Sequence, residues 1–116
     1  MGALVEGFDA AHHKHEAQVA ENRAREQLIE DQLRILGQLL DEDAAFLKEH
    51  GMSHTLRSRT MHIDQKRVPP ITVHFDPAEK AYQLTFMKDG SHLICATAGE
   101  AAHSIGAHVY DSQRQK

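Results

Sequence analysis

No proline and only one glycine, Gly37, interrupt the stretch from Phe8 to His50. A run of that length without a helix breaker limits the possible folds more than any other feature of the chain. Within it Ile29, Leu33, Leu36 and Leu40 recur at spacings of four, three and four, which stacks them on one face of a 3.6-residue helix. Leu28, Leu39 and Leu47 widen that stripe. Upstream, Ala17, Ala20, Ala24 and Leu28 keep the rhythm with smaller side chains among strong helix formers such as Glu21, Arg25 and Gln27. Lys48 and His50 suit the last turn, and Gly51 follows where a left-handed cap residue is wanted. The expectation is one continuous helix over 8–50, with residues 1–7 frayed. The alternative is a break at Gly37 or at Asp41-Glu42-Asp43, whose acids could cap a second helix beginning at Ala44.

A straight helix of that length would extend ~60 Å, whereas a compact domain of this size has a radius of gyration of ~13 Å. The helix must therefore fold back, project, or pair with another copy as a coiled coil. Leu28, Ile29, Leu33, Leu36, Leu40 and Leu47 are the expected oligomer interface, the alternative being that the stripe covers the chain's own sheet.

After Gly51 the pattern alternates. Thr55 to Ile63 reads as a strand, and with Lys66 and Arg67 it brings together Arg57, Arg59, Lys66 and Arg67 against one acid, Asp64. These four bases are candidates for contact with phosphates or with an acidic protein. Val68-Pro69-Pro70 reads as stiff, extended punctuation. Ile71, Val73 and Phe75, then Tyr82, Leu84 and Phe86, alternate with polar residues on either side of a turn at Asp76-Pro77. Asp89-Gly90 predicts a two-residue hairpin loop pairing Lys88 with Ser91, Phe86 with Leu93 and Leu84 with Cys95, which places Cys95 in the core. Thr97-Ala98-Gly99-Glu100 is a capping box, and Ala98, Ala101, Ala102, Ile105 and Val109 form the apolar side of the helix it starts, with a tail from Asp111. The expected fold is α+β: a long helical arm (1–52), a basic strand and Pro-Pro linker (53–70), and a β-β-β-α unit (71–116) whose antiparallel meander has three to four strands.

Charge and cysteine usage bound the function. Residues 1–50 carry eleven acids against five bases, so the helical half is acidic while the remainder is slightly basic. An acidic helix is a poor partner for nucleic acid or anionic lipid and a better one for protein. The single Cys95 makes no internal disulfide, no window approaches a membrane span, and Met1-Gly2-Ala3-Leu4-Val5-Glu6 is too short and acidic for a secretory signal, so the cytoplasm is the expected compartment. Of the ten histidines, His12 and His15 with Glu16 are the weak metal candidates, since i, i+3 and i, i+4 spacing groups them on one helix face. No catalytic set and no cofactor motif is present, so no enzymatic role is expected.

The order helix, three strands, helix resembles that of a double-stranded-RNA-binding domain, which implies phosphate contacts from the start of the last helix. That start is Thr97-Ala98-Gly99-Glu100 here, where the family carries a run of lysines. The favoured expectation is a non-enzymatic adaptor or inhibitor-type protein, acting as a homo-oligomer, commonly a dimer, through its long helix and binding another protein. Nucleic-acid binding through the 55–67 segment is the alternative, followed by metal binding.

Overall fold

The computed structural model describes residues 2–114 of the chain. Its elements are α1 (Ala3–Glu42), α2 (Ala44–Glu49), β1 (Met52–Arg57), β2 (Thr60–Gln65), β3 (Val68–Asp76), β4 (Ala81–Phe86), β5 (Ser91–Cys95) and α3 (Ala98–Arg114). The fold is α+β, with a long N-terminal helix, an antiparallel meander and a C-terminal helix. The sheet has five strands in sequence order rather than three to four.

The extra strands come from the segment expected to hold one strand and a linker. Ser58 and Arg59 both take left-handed backbone angles (φ 47° and 64°) and reverse the chain, so 52–65 is a hairpin in which Leu56 faces Met61 and Thr55 faces His62. Both central residues at positive φ make the tight turn whose twist suits a hairpin. Val68-Pro69-Pro70 opens β3, and the register between β2 and β3 shifts between Ile63 and Gln65 opposite those prolines. Proline cannot donate to a ladder, and an irregularity accommodates it.

The β4–β5 register differs from expectation by two residues. Phe86 faces Ser91, Leu84 faces Leu93 and Tyr82 faces Cys95. Asp89 and Gly90 both donate backbone N–H groups to the Phe86 carbonyl, and Asp89 Oδ1 accepts from the Ser91 N–H and hydroxyl, so the loop spans four residues. A slip of two leaves every side chain on its original face, and Cys95 is buried as expected.

Both helices cover one face of the sheet. Met61, Ile63, Ile71, Val73 and Leu84 form its apolar centre, with Leu33, Leu36 and Leu40 from α1 and Ala101, Ile105 and Val109 from α3 lying in the same core. The spacing of four through Ala101, Ile105 and Val109 gives α3 a narrow apolar ridge, and it runs on through buried Ser112 to Arg114 where a tail was expected from Asp111; residues 115–116 lie outside the described part, as does Met1 of the expected frayed start. The capping box forms: Thr97 Oγ1 accepts from the Glu100 N–H, and Glu100 Oε2 accepts from the N–H of Ala96.

Helix α1 begins at Ala3 and ends at Glu42, not at His50, and the interruption is at Asp43 rather than at Gly37. Gly37 instead provides room. A Cβ there would lie 3.3 Å from His54 Cε1 and 3.3 Å from Met61 Cε, so the missing side chain lets the helix approach β1 and β2. His54 then donates through Nε2 to Asp41 Oδ1 at 2.7 Å, tying the outer strand to the helix. Gly51 takes the expected left-handed conformation (φ 62°).

Leu36 has no exposed surface, so Leu36→Ala is expected to destabilise the fold by about 2–5 kcal/mol in denaturant unfolding. Gly37→Val places a branched side chain against His54 and Met61 and is expected to cost about 1–3 kcal/mol by the same measurement.

Candidate functional site

Three of the six expected interface residues are buried in the chain's own core. Leu33 and Leu36 are fully buried and Leu40 nearly so, while Leu28, Ile29 and Leu47 are partly buried against the same core. The sheet's inner face needs an apolar cover, and the densest part of the helical stripe provides it. The surface left for a partner lies farther out on α1. Residues 2–27 are exposed along their whole length except for half-buried Val19, and the molecule is accordingly 75 Å long with a radius of gyration of 19.7 Å. The helix leaves the body near Glu26, whose Oε1 accepts from Arg59 Nη1 at 3.0 Å, so the β1–β2 turn braces its root.

This arm keeps the phase of the buried stripe. Leu4 precedes Leu33 by 29 residues, about eight helical turns, and Leu4, Phe8, Ala11, His15 and Val19 therefore continue the face that carries Leu33, Leu36 and Leu40. Beyond the sheet that face has no cover: Leu4 is 90% exposed and Phe8 73%. The other faces of the arm are polar and carry charges of both signs, among them Glu6, Asp9, Lys14, Glu21, Arg23 and Arg25.

The four candidate bases do not form one patch. Arg57 and Arg59 sit at the β1–β2 turn, while Lys66 and Arg67 sit at the β2–β3 turn beyond the other end of β2. Six residues of strand separate the two pairs, ~20 Å at the usual rise. Arg59 is also engaged with Glu26. The order of elements, helix, five strands, helix, departs from the three-stranded order of a double-stranded-RNA-binding domain.

His12 Nε2 lies 3.0 Å from Glu16 Oε1 on the arm, as their spacing implied. Among the described residues no group of three or more His, Cys, Asp or Glu is placed to hold a metal ion, so His15 does not complete a ligand set with that pair. Nor is any helix among them long and apolar enough to cross a membrane.

The His54–Asp41 pair was not legible in sequence, because the two residues belong to different elements and meet only through the close approach at Gly37. They border a cleft of about 310 Å³ with Arg34, Gln38, Leu56 and Met61. Neither hydroxyl nor thiol lines it. A larger cleft of about 480 Å³ lies at the arm's root between Leu28, Gln32 and Ile35 of α1, Phe75 and Tyr82 of the sheet, and Ala98 of α3. The Tyr82 hydroxyl donates to the carbonyl and side-chain oxygens of Gln32, each at 3.0 Å, and burial pushes its pKa up.

The opposite face of the sheet is open. Thr55, His62, Thr72, Thr85 and His92 form one row across all five strands, with Thr85 Oγ1 3.0 Å from His92 Nδ1. That row is polar and carries no carboxylate or guanidinium, and it offers no Phe, Tyr or Trp on which bases could stack.

Compared with known proteins, the chain matches no family model, no curated protein and no solved structure.

One titratable group carries a pH consequence. Burial lowers the pKa of His108, whose ring packs on Phe86 with centroids 4.4 Å apart; Lys88 lowers it further, while Asp89 and Asp111 oppose the shift. The folded state thus favours the neutral imidazole. Its stabilising contribution is complete above the ordinary value of about 6.5 and is lost as pH falls from there through the lowered folded value. His108→Leu is expected to show a smaller fall in Tm between pH 7.5 and pH 5.5 than the natural chain, measured by thermal denaturation in matched ionic strength.

Proposed function

We propose that this chain is a non-enzymatic interaction protein that works as a homo-oligomer, with the projecting part of α1 as its assembly element and the α/β body as the module presented to another protein. The observation that carries this reading is the bare arm. About seven turns of helix stand clear of the body, on the phase of the core stripe, with Leu4 and Phe8 in solvent. An isolated helix is marginal in water, and most helical stability in proteins comes from packing an apolar face. A second arm laid alongside supplies that packing.

The open sheet face, polar and flanked by no helix, is then free for a different protein.

Sedimentation equilibrium tests the reading. The natural chain is expected to self-associate, and Phe8→Ser with Val19→Ser to weaken association at least tenfold, because each apolar side chain contributes on the order of 1.5–3 kcal/mol when fully covered. Neither residue belongs to the body's core, so the thermal transition of the sheet should be unchanged. A natural chain that remains monomeric at all concentrations would overturn the proposal.

A further inference from the structure

The two outer strands of the sheet are finished differently. At one edge, β1 carries Arg57, its Met52 is buried, and its His54 is fastened to Asp41 of α1. At the other edge, β5 has the sequence Ser91-His92-Leu93-Ile94-Cys95, with no charged residue, no proline and no register irregularity against β4. Proteins ordinarily guard such an edge with lysine, proline or a bulge, because its outward N–H and C=O groups are a template for another strand. Here the edge is also apolar. Leu93 is 41% exposed although Leu84, its partner on β4, is fully buried, and Ile94 is 72% exposed. A cleft of about 460 Å³ runs beside the strand under α3, lined by Leu93, Ile94 and Cys95 of β5 and by Gly99, Glu100, His103 and Ser104 of α3.

We infer that β5 is a second interface, at which the sheet continues into the sheet of another copy through antiparallel β5–β5 pairing centred on Leu93. The strand is self-complementary in that register. On the helix-covered face, Ser91 meets Cys95 of the second copy and Leu93 meets Leu93, so small lies opposite small and the exposed leucines cover each other. On the open face, His92 meets Ile94. The second copy's Leu93 enters the cleft beneath α3, next to Gly99, where the absence of a Cβ leaves room. Backbone hydrogen bonds supply affinity and the leucine pair fixes register, the mode of recognition by strand addition. This interface goes beyond the arm and does not rest on it. Two separate two-fold contacts on one chain build assemblies larger than a dimer.

Cross-linking of the full-length chain tests the register. Only a residue on the dyad meets its own copy, so Leu93→Cys is expected to give a covalent dimer rapidly on mild oxidation, whereas exposed Met87→Cys and Tyr110→Cys are not. Leu93→Lys, an inward charge at the edge, is expected to lower the association constant at least tenfold, with circular dichroism confirming that the sheet is retained. Ile94→Cys serves as a milder, fold-preserving probe and should cross-link more slowly than Leu93→Cys. Equal cross-linking at positions 87, 93 and 110 would overturn the inference. Carrying Leu93→Cys in the Phe8→Ser and Val19→Ser background separates the two interfaces: retained cross-linking there supports the edge independently of the arm, and loss there shows that the strands meet only because the arms do, which also overturns it.

Discussion

One face of a five-stranded sheet, centred on Met61, Ile63, Ile71, Val73 and Leu84, must be kept from water, and the rest of the molecule is arranged around that requirement. A single 17-residue helix, α3, covers β4 and β5 but not the whole sheet. The remaining strands are covered by the last third of α1, where leucine is densest. Because Leu33, Leu36 and Leu40 lie in the same core as Ile105 and Val109, the body has one core rather than two. Gly37 sets how close α1 can approach, and the His54–Asp41 bond then fastens β1 at the distance this permits. Residues 3–27 of α1 contribute nothing to that core.

The sequence disclosed those parts of the fold in which local chemistry and side-chain period agree. Ile71, Val73 and Phe75 and their partners on β4 were legible because a strand's period of two matches their alternation. So was α3, where the Thr97–Glu100 box marks the start and an i+4 ridge follows. The first hairpin was hidden because Ser58 and Arg59 turn the chain without glycine or asparagine, the residues that ordinarily announce positive φ. Arg67 does the same between β2 and β3. The β4–β5 slip arose because Asp89 accepts from Ser91 and lengthens the loop, a side-chain effect that a dipeptide signal does not include. Each of these misses in the sheet lies in a turn, where few residues decide and context outweighs propensity.

The candidate surfaces were less legible, for a different physical reason. An amphipathic stripe states that something covers it, not what does, and Leu33 reads the same whether it meets its own sheet or a second chain. The basic segment misled in a related way. Arg57, Arg59, Lys66 and Arg67 are neighbours along the chain, but a strand of six residues carries its two ends ~20 Å apart. Nearness in sequence became separation in space once the segment was extended. The edge of the sheet could not be identified at all before strand order was known, since Leu93 and Ile94 resemble the core residues of β4 until β5 is seen to have no neighbour beyond it.

As proposed interfaces, the arm and the β5 edge would hold a partner differently, and that difference bears on assembly. An arm paired through the stripe of Leu4, Phe8, Ala11, His15 and Val19 would fix its register weakly, because only three of those five side chains are large and apolar. A strand pair cannot slide by one residue without turning Leu93 out toward the solvent face. The short edge therefore fixes geometry while the long arm adds area and reach. In such a division the register-defining contact need not be the larger one: five residues of uncharged strand would orient one pair of bodies, while the arm joined each of them to a different copy.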